Sequence, residues 1–182
     1  ILQNYRKEAA DRLGIGYDAV KARRPGIIYA SLNTFGQMGP YSGRPGHEQL
    51  GQSATGMQMR FGGDKPVVGP FPANDYGTGL MGCYAVALAL LEKKRTGKGQ
   101  QVNTALAYTA TMLQSGLMLG YEGKQWNEPR GQQALGSGPL HRAYKAADGW
   151  LFFASREDDL KKCAELRDLA GKPGSEQEKA LD

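Results

Sequence analysis

The feature that most constrains this chain is a six-residue run, Ile27-Ile28-Tyr29-Ala30-Ser31-Leu32, bounded on both sides by turn residues. It lacks the apolar–polar alternation of a half-buried strand, so it reads as a strand covered on both faces, as in a parallel sheet. Ahead of it, Ile1–Gln3 reads as the end of another strand. A helix begins over Ala9–Leu13, is interrupted at Gly14 and Gly16, resumes over Asp18–Arg23 and stops at Pro25. Strand, helix and buried strand make a βαβ unit, and the expected fold is α/β with a Rossmann-like large domain.

Downstream, residues 36–46 are loop-like, and Leu50, Ala54 and Met57 predict a helix over Glu48–Met57. A second loop is expected from Gly62 to Asn74. The strongest helical pattern runs from Gly79 to Arg95, with Leu80, Tyr84, Leu88 and Leu91 on one face and Gly82, Ala85 and Ala89 allowing close packing. Lys93, Lys94 and Arg95 favour its C-terminal end and Gly97 its stop. A short strand at Gln101–Thr104 and a helix over Ala105–Leu119 follow. Composition then shifts toward Gly, Asn, Gln and Pro, which puts a domain boundary near residues 120–136: a large-domain portion over 1–125, then a linker and the start of a small α+β domain over 126–182. In that second part, Arg142–Tyr144 and Trp150–Phe153 flank the turn Asp148-Gly149 as a β-hairpin.

Hydrophobic residues at 40% and charged residues at 23% suit a globular protein large enough to bury a core. Of the net charge of +5, residues 1–24 supply +3, six cations (Arg6, Lys7, Arg12, Lys21, Arg23, Arg24) against Glu8, Asp11 and Asp18. Such a face suits phosphate-bearing ligands, but no cationic run interleaved with aromatics marks a nucleic-acid surface. The longest apolar stretch, Tyr84–Leu91, is far shorter than the roughly 20 residues of a membrane span, and no signal peptide is evident; a cytoplasmic protein is expected. Cys83 and Cys163 imply neither a disulfide framework nor a metal site, and Cys83, among apolar residues, is expected to be buried. The start without Met and the charged close read as the ends of a piece cut from something longer.

Several catalytic signatures fail. His47-Glu48-Gln49-Leu50 begins like H-E-x-x-H, but Gly51 stands where the second His belongs. Gly51-Gln52-Ser53-Ala54 lacks the closing Gly of a nucleophile elbow, and neither a P-loop nor a complete G-x-G-x-x-G is present. What remains is Asn74-Asp75-Tyr76-Gly77-Thr78-Gly79, ahead of the strongest helix. Asp75 is there either an N-cap or a carboxylate nucleophile kept ionised by the helix dipole, and the two readings can coexist.

The ordered set Asn4-Tyr5-Arg6, Arg12-Leu13-Gly14-Ile15-Gly16-Tyr17, Ile28-Tyr29-Ala30-Ser31, Phe35-Gly36-Gln37-x-Gly39-Pro40-Tyr41, Arg44-Pro45-Gly46, Asp75-Tyr76-x-Thr78-Gly79 and Arg95-Thr96-Gly97-Lys98-Gly99-Gln100-x-Val102 resembles the class III CoA-transferases, whose superfamily also holds α-methylacyl-CoA racemase. The resemblance spans the chain to about Phe153. It implies CoA transfer between an acyl-CoA and a small carboxylic acid, with Asp75 carrying an aspartyl-CoA intermediate. CoA is then a substrate, no cofactor is tightly bound, and the expected assembly is a homodimer, intertwined in this family, with the 79–95 helix largely buried. By the same resemblance Asn4, Tyr5, Arg6, Arg12, Asn33, Phe35, Gly36 and Gln37 approach CoA, and Gly136-Ser137-Gly138 matches a glycine loop over the active site.

Two departures bear on this. The family's Asn-Phe-Arg-Pro-Gly is Asn4-Tyr5-Arg6-Lys7-Glu8 here, and the family's N-terminal segment is missing from the chain. A non-catalytic fragment that serves binding or assembly is therefore a third reading. The second is the racemase, in which His47 of Gly46-His47-Glu48 would work opposite Asp75, with Glu157 in support. His47 is otherwise a residue packing or capping at the start of the 48–57 helix.

Overall fold

The computed structural model describes residues 1–126 and 128–182, apart from the side chain of Lys7; residue 127, inside the boundary region read from composition, and that one cation of the basic set lie outside the description. Two compact units form, Ile1–Lys124 and Gln125–Asp182.

The first unit is a mixed α/β structure on a parallel sheet. Strands β1 (Leu2–Gln3), β2 (Ile28–Asn33) and β3 (Gln100–Ala105) lie in the order β1-β2-β3, with Leu2 opposite Ala30 and Ala30 opposite Val102. The central strand is the apolar run that organised the sequence, and Tyr29, Ala30 and Ser31 are buried there. Tyr29 keeps its hydroxyl satisfied by donating to the Ile15 carbonyl at 2.7 Å. That bond ties β2 to the turn between α1 (Lys7–Arg12) and α2 (Tyr17–Arg23).

Between β2 and β3 come α3 (Glu48–Ala54), α4 (Met57–Gly62) and α5 (Ala73–Thr96), and after β3 come α6 (Leu106–Leu113) and α7 (Ser115–Met118). The single helix expected over Glu48–Met57 is divided, because Gly56 takes the left-handed conformation at φ 76° and restarts the chain as α4. The helix expected over Ala105–Leu119 likewise breaks at Gln114, which caps α6. The largest correction concerns α5. It begins six residues before the expected Gly79, so Ala73 and Asn74, the last two residues of the expected loop, are helical and Asp75 lies within the first turn, not at the N-cap.

Helix α5 packs across β2 and β3 and against α6. Its inward face is made of small and polar residues: Asn74, Thr78, Gly82 and Ala89 are buried. A Cβ on Gly82 would meet Leu32 Cδ2 at 2.7 Å, so glycine sets how closely helix and sheet approach. The large apolar face points away. Leu80 is 72% exposed and Tyr84 60%, and Leu88 and Leu91 are exposed as well, so a single chain leaves this face uncovered; the burial expected of the helix was that of the assembled dimer. Cys83 is exposed on the same helix, contrary to the buried position expected of it.

The second unit is an antiparallel sheet, β4 (Gly136–Gly138), β5 (His141–Lys145) and β6 (Trp150–Ala154), followed by α8 (Glu157–Leu160), a 3-10 turn (Arg167–Leu169) and α9 (Gly174–Leu181). Tyr144, Leu160 and Leu169 are its buried apolar residues. Arg142 of β5 pairs with Glu178 of α9. The stretch expected as a glycine loop, Gly136-Ser137-Gly138, is an edge strand paired with β5, where Gly136 faces Arg142 too closely for a Cβ.

Candidate active site

A cavity of about 510 Å³ opens where the C-terminal ends of β1 and β2 meet the start of α5. Sites at the carboxyl ends of parallel strands follow from the geometry of such sheets, since loops and helix starts converge there. Asn4 and Arg6 line it after β1, Asn33 and Thr34 at the end of β2, Arg44, Gly46 and His47 from the loop before α3, and Asp75, Thr78 and Gly79 from α5.

The position of Asp75 depends on Glu48, whose capping role the sequence does not reveal. Glu48, the first residue of α3, is 3% exposed. Its Oε2 accepts the Asp75 N–H at 2.7 Å, and its Oε1 accepts the Asn74 N–H at 3.3 Å and a Gln52 amide N–H at 2.8 Å. A side chain 27 residues away in sequence thus caps α5, the task the sequence left to Asp75 itself. The remaining first-turn amides are also occupied, Ala73 N–H by the Phe71 carbonyl and Tyr76 N–H by the Pro72 carbonyl. With its backbone held, the Asp75 carboxylate is left open toward the cavity. The sequence shows Glu48 within Gly46-His47-Glu48, but no spacing links it to the backbone of residues 74 and 75.

Gly46 lets this segment lie against β2: a Cβ there would meet Thr34 Cγ2 at 2.5 Å. His47 Nδ1 lies 2.6 Å from Gln49 Oε1, a contact that orients the imidazole at the start of α3. Deeper in, Thr78 and Thr109 hydroxyls share a hydrogen bond of 2.6 Å, fixing α5 to α6 just behind the site.

Electrostatics run against the sequence expectation for Asp75. Its carboxyl pKa is raised from 3.8, first by lost solvation on the cavity wall, then by the Glu48 carboxylate, with His47 opposing. The favourable helix dipole is outweighed, and the group is a more basic carboxylate than an ordinary aspartate.

Of the candidate ligands, Asn4, Arg6 and Asn33 meet Asp75 and His47 in one cavity. The Asn33 Oδ1 accepts the Gly36 N–H at 2.6 Å, which holds the Phe35-Gly36-Gln37 turn, and its Nδ2 is buried without a partner. Gln37 lines a separate polar pocket with Asp11, Tyr29 and Ser31. Tyr5, Arg12, Phe35 and Gly36 are not on the cavity wall. Gly136, Gly138 and Glu157 belong to the second unit. Glu157 accepts from Gln177 Nε2 at 2.6 Å and from the Gly171 N–H at 2.9 Å, bonds that lower its carboxyl pKa and tie α8 to the residues around α9. Among the described residues, no cluster of three or more His, Cys, Asp or Glu could hold a metal ion, and no helix is long and apolar enough to cross a membrane.

The model of CoA-transferase family III matches residues 1–182. The chain belongs to that family. Human α-methylacyl-CoA racemase is 31% identical over 153 residues, covering 82% of this chain and 40% of the racemase. The beta subunit of succinyl-CoA–L-malate CoA-transferase from Chloroflexus aurantiacus is 29% identical over 178 residues, covering 95% of this chain and 44% of that subunit. A solved hypothetical protein of Mycobacterium tuberculosis superimposes with a TM-score of 0.80 at 25% identity, over 99% of this chain and 54% of its own. This family III chain therefore spans less than half of these two curated relatives and about half of the solved one. The relatives' names divide between CoA transfer and racemisation, two reactions of acyl-CoA.

Proposed function

We infer that this chain carries the nucleophile of an acyl-CoA:carboxylate CoA-transferase, and that the nucleophile is Asp75. The observation that carries the reading is a cavity in which an open carboxylate, raised in pKa and held by a capped helix start, meets Asn4, Arg6 and Asn33. In the first step the Asp75 carboxylate attacks the thioester carbonyl and expels CoA thiolate, leaving a mixed anhydride. The thiolate then attacks the Asp75 carbonyl of that anhydride, releasing the donor acid and forming an aspartyl-CoA thioester. The acceptor carboxylate repeats both steps in reverse order, and Asp75 is regenerated with no net change in protons or electrons. Arg6, with Arg12 at the end of α1, would meet CoA phosphates. The bond from Asn33 to Gly36 N–H shapes the neighbouring wall.

One observation favours a second reading. His47 and Asp75 line the same cavity, as the two bases of an α-methylacyl-CoA racemase would. The readings part in what becomes of Asp75. For the complete polypeptide given acyl-CoA, hydroxylamine should convert the aspartyl-CoA ester to a hydroxamate on the peptide holding Asp75, while α-deuterium uptake stays low and His47→Ala retains transfer. Rapid α-exchange that vanishes in His47→Ala, with no adduct, makes the protein a racemase. Neither signal, together with no CoA binding, leaves the non-catalytic reading.

We read the complete protein as a homodimer. Supporting this is the exposed apolar face of α5, from Tyr76 through Leu80, Tyr84 and Leu88 to Leu91, which a monomer in water would leave uncovered.

A further inference from the structure

Arg44 lines the same cavity as Asp75, and neither reading above uses it. Its guanidinium lies over the Tyr41 ring, 4.5 Å from the centroid, and Tyr41 is tilted against Phe35 at 5.5 Å. The turn that makes this stack is closed by the Arg44 N–H donating to the Tyr41 carbonyl at 2.9 Å. No carboxylate pairs with Arg44 among the described residues. Stacking on an aromatic face occupies the flat side of a guanidinium and leaves its N–H edge for a planar two-oxygen acceptor.

We propose that Arg44 is the specificity-determining residue for the acid, receiving a second carboxylate at the far end of the acyl group and so selecting dicarboxylic over monocarboxylic substrates. The proposal rests on the reading of this cavity as an acyl-CoA and carboxylic-acid site.

Chain connectivity favours the reacting end of a substrate as the end Arg44 meets. It stands three residues before His47 and four before Glu48, whose carboxylate holds the Asp75 backbone. Four residues span at most about 14 Å of chain, which ties Arg44 to the segment that carries His47 and Glu48. The long pantetheine arm carries CoA phosphates away from the sulfur, and Arg6, which enters from the β1–α1 connection, remains for them. A guanidinium paired with a carboxylate through two N–H···O bonds is worth about tenfold or more in affinity.

The test is binding of small acids to this chain, followed by calorimetry or amide chemical shifts. Wild type should bind succinate more tightly than butyrate. Arg44→Met, which keeps the apolar stem over Tyr41, should weaken succinate by about tenfold and leave butyrate unchanged. Tyr41→Leu should weaken succinate by a smaller factor, because the charge remains but its stack is lost. Adenosine 3′,5′-bisphosphate serves as the phosphate probe. If Arg44→Met weakens that probe while succinate is unaffected, Arg44 serves CoA and the proposal is overturned. Equal binding of succinate and butyrate by wild type, or no binding of either, overturns it too. None of these measurements needs turnover, so a failed Asp75 trap with intact succinate selectivity would remove the transferase reading and leave the dicarboxylate site standing.

Discussion

The two stretches of α5 are built on opposite principles. Over 73–78 the helix is fixed by directed polar contacts: Glu48 on two backbone amides, the Thr78–Thr109 hydroxyl pair, and Gly77 packed against the Thr109 methyl. From Leu80 onward its inward side is small residues, and its bulky apolar residues face outward. The first stretch must hold one carboxylate at one place, which hydrogen bonds do well because they are directional. The second shows a surface whose apolar area is useful only when something covers it. Precision and adhesion share one helix, and each predicts a different response to substitution.

The largest expected effect is at the polar end. Glu48→Ala strips two backbone donors and the Gln52 amide of their acceptor in a buried setting, and should cost about 3 kcal/mol in urea denaturation. It should also reduce any Asp75 chemistry, since the helix start would fray. A loss below about 1 kcal/mol would mean that water replaces Glu48 without penalty, and the contrast between the two stretches would weaken.

Next in size is Gly77→Val. A Cβ there meets Thr109 Cγ2 at 2.6 Å, and Thr109 cannot withdraw freely, because its hydroxyl bonds both Thr78 and the Ala105 carbonyl. Overpacking of this kind should cost about 1–3 kcal/mol by the same measurement. Full wild-type stability would show that α5 and α6 slide apart easily.

The apolar face should behave differently. Leu80→Gln, which keeps helix propensity, should change the stability of this chain by no more than about 0.5 kcal/mol, because Leu80 already stands in water. Its effect should appear in sedimentation, as weaker self-association. A variant that loses stability but not association would show that the face is covered from within the same chain.

How much of this was legible follows the physics of each element. The strand at Ile27–Leu32 was readable because a covered strand needs an unbroken apolar run, and β2 appears within one residue of it. The hairpin around Asp148-Gly149 was readable because turn chemistry is local. The start of α5 was not. Pro72 and the glycines at 77 and 79 look like a loop in one dimension, and the acceptor that makes them helical comes from Glu48, which sequence spacing does not reveal. The stripe of Leu80, Tyr84, Leu88 and Leu91 was seen, but periodicity identifies a face without saying whether the same chain or another surface covers it. Asp75 was singled out for its neighbours in sequence. Its pKa is raised first by lost solvation on the cavity wall and then by the Glu48 carboxylate, with His47 opposing, and spacing in the sequence shows none of the three.

The smallest expected effect is a pH dependence at Asp75, and it tests whether the polar end carries a cost for holding the carboxylate. A carboxyl whose folded-state pKa is raised binds its proton more tightly in the folded protein than in the unfolded one. The folded state is therefore favoured at pH below the ordinary aspartate value of 3.8, and that contribution is lost as pH rises through the raised value. Asp75→Asn removes the titration while keeping a similar shape. The stability of Asp75→Asn relative to wild type should thus shift in favour of the variant as pH is raised across this window. Carbon-13 titration of the Asp75 carboxyl should place its midpoint above 3.8, and Glu48, the like charge beside it, is the second cause after lost solvation. A midpoint below 3.8 would mean that the helix dipole governs the group after all, and the stability difference would then run the other way with pH.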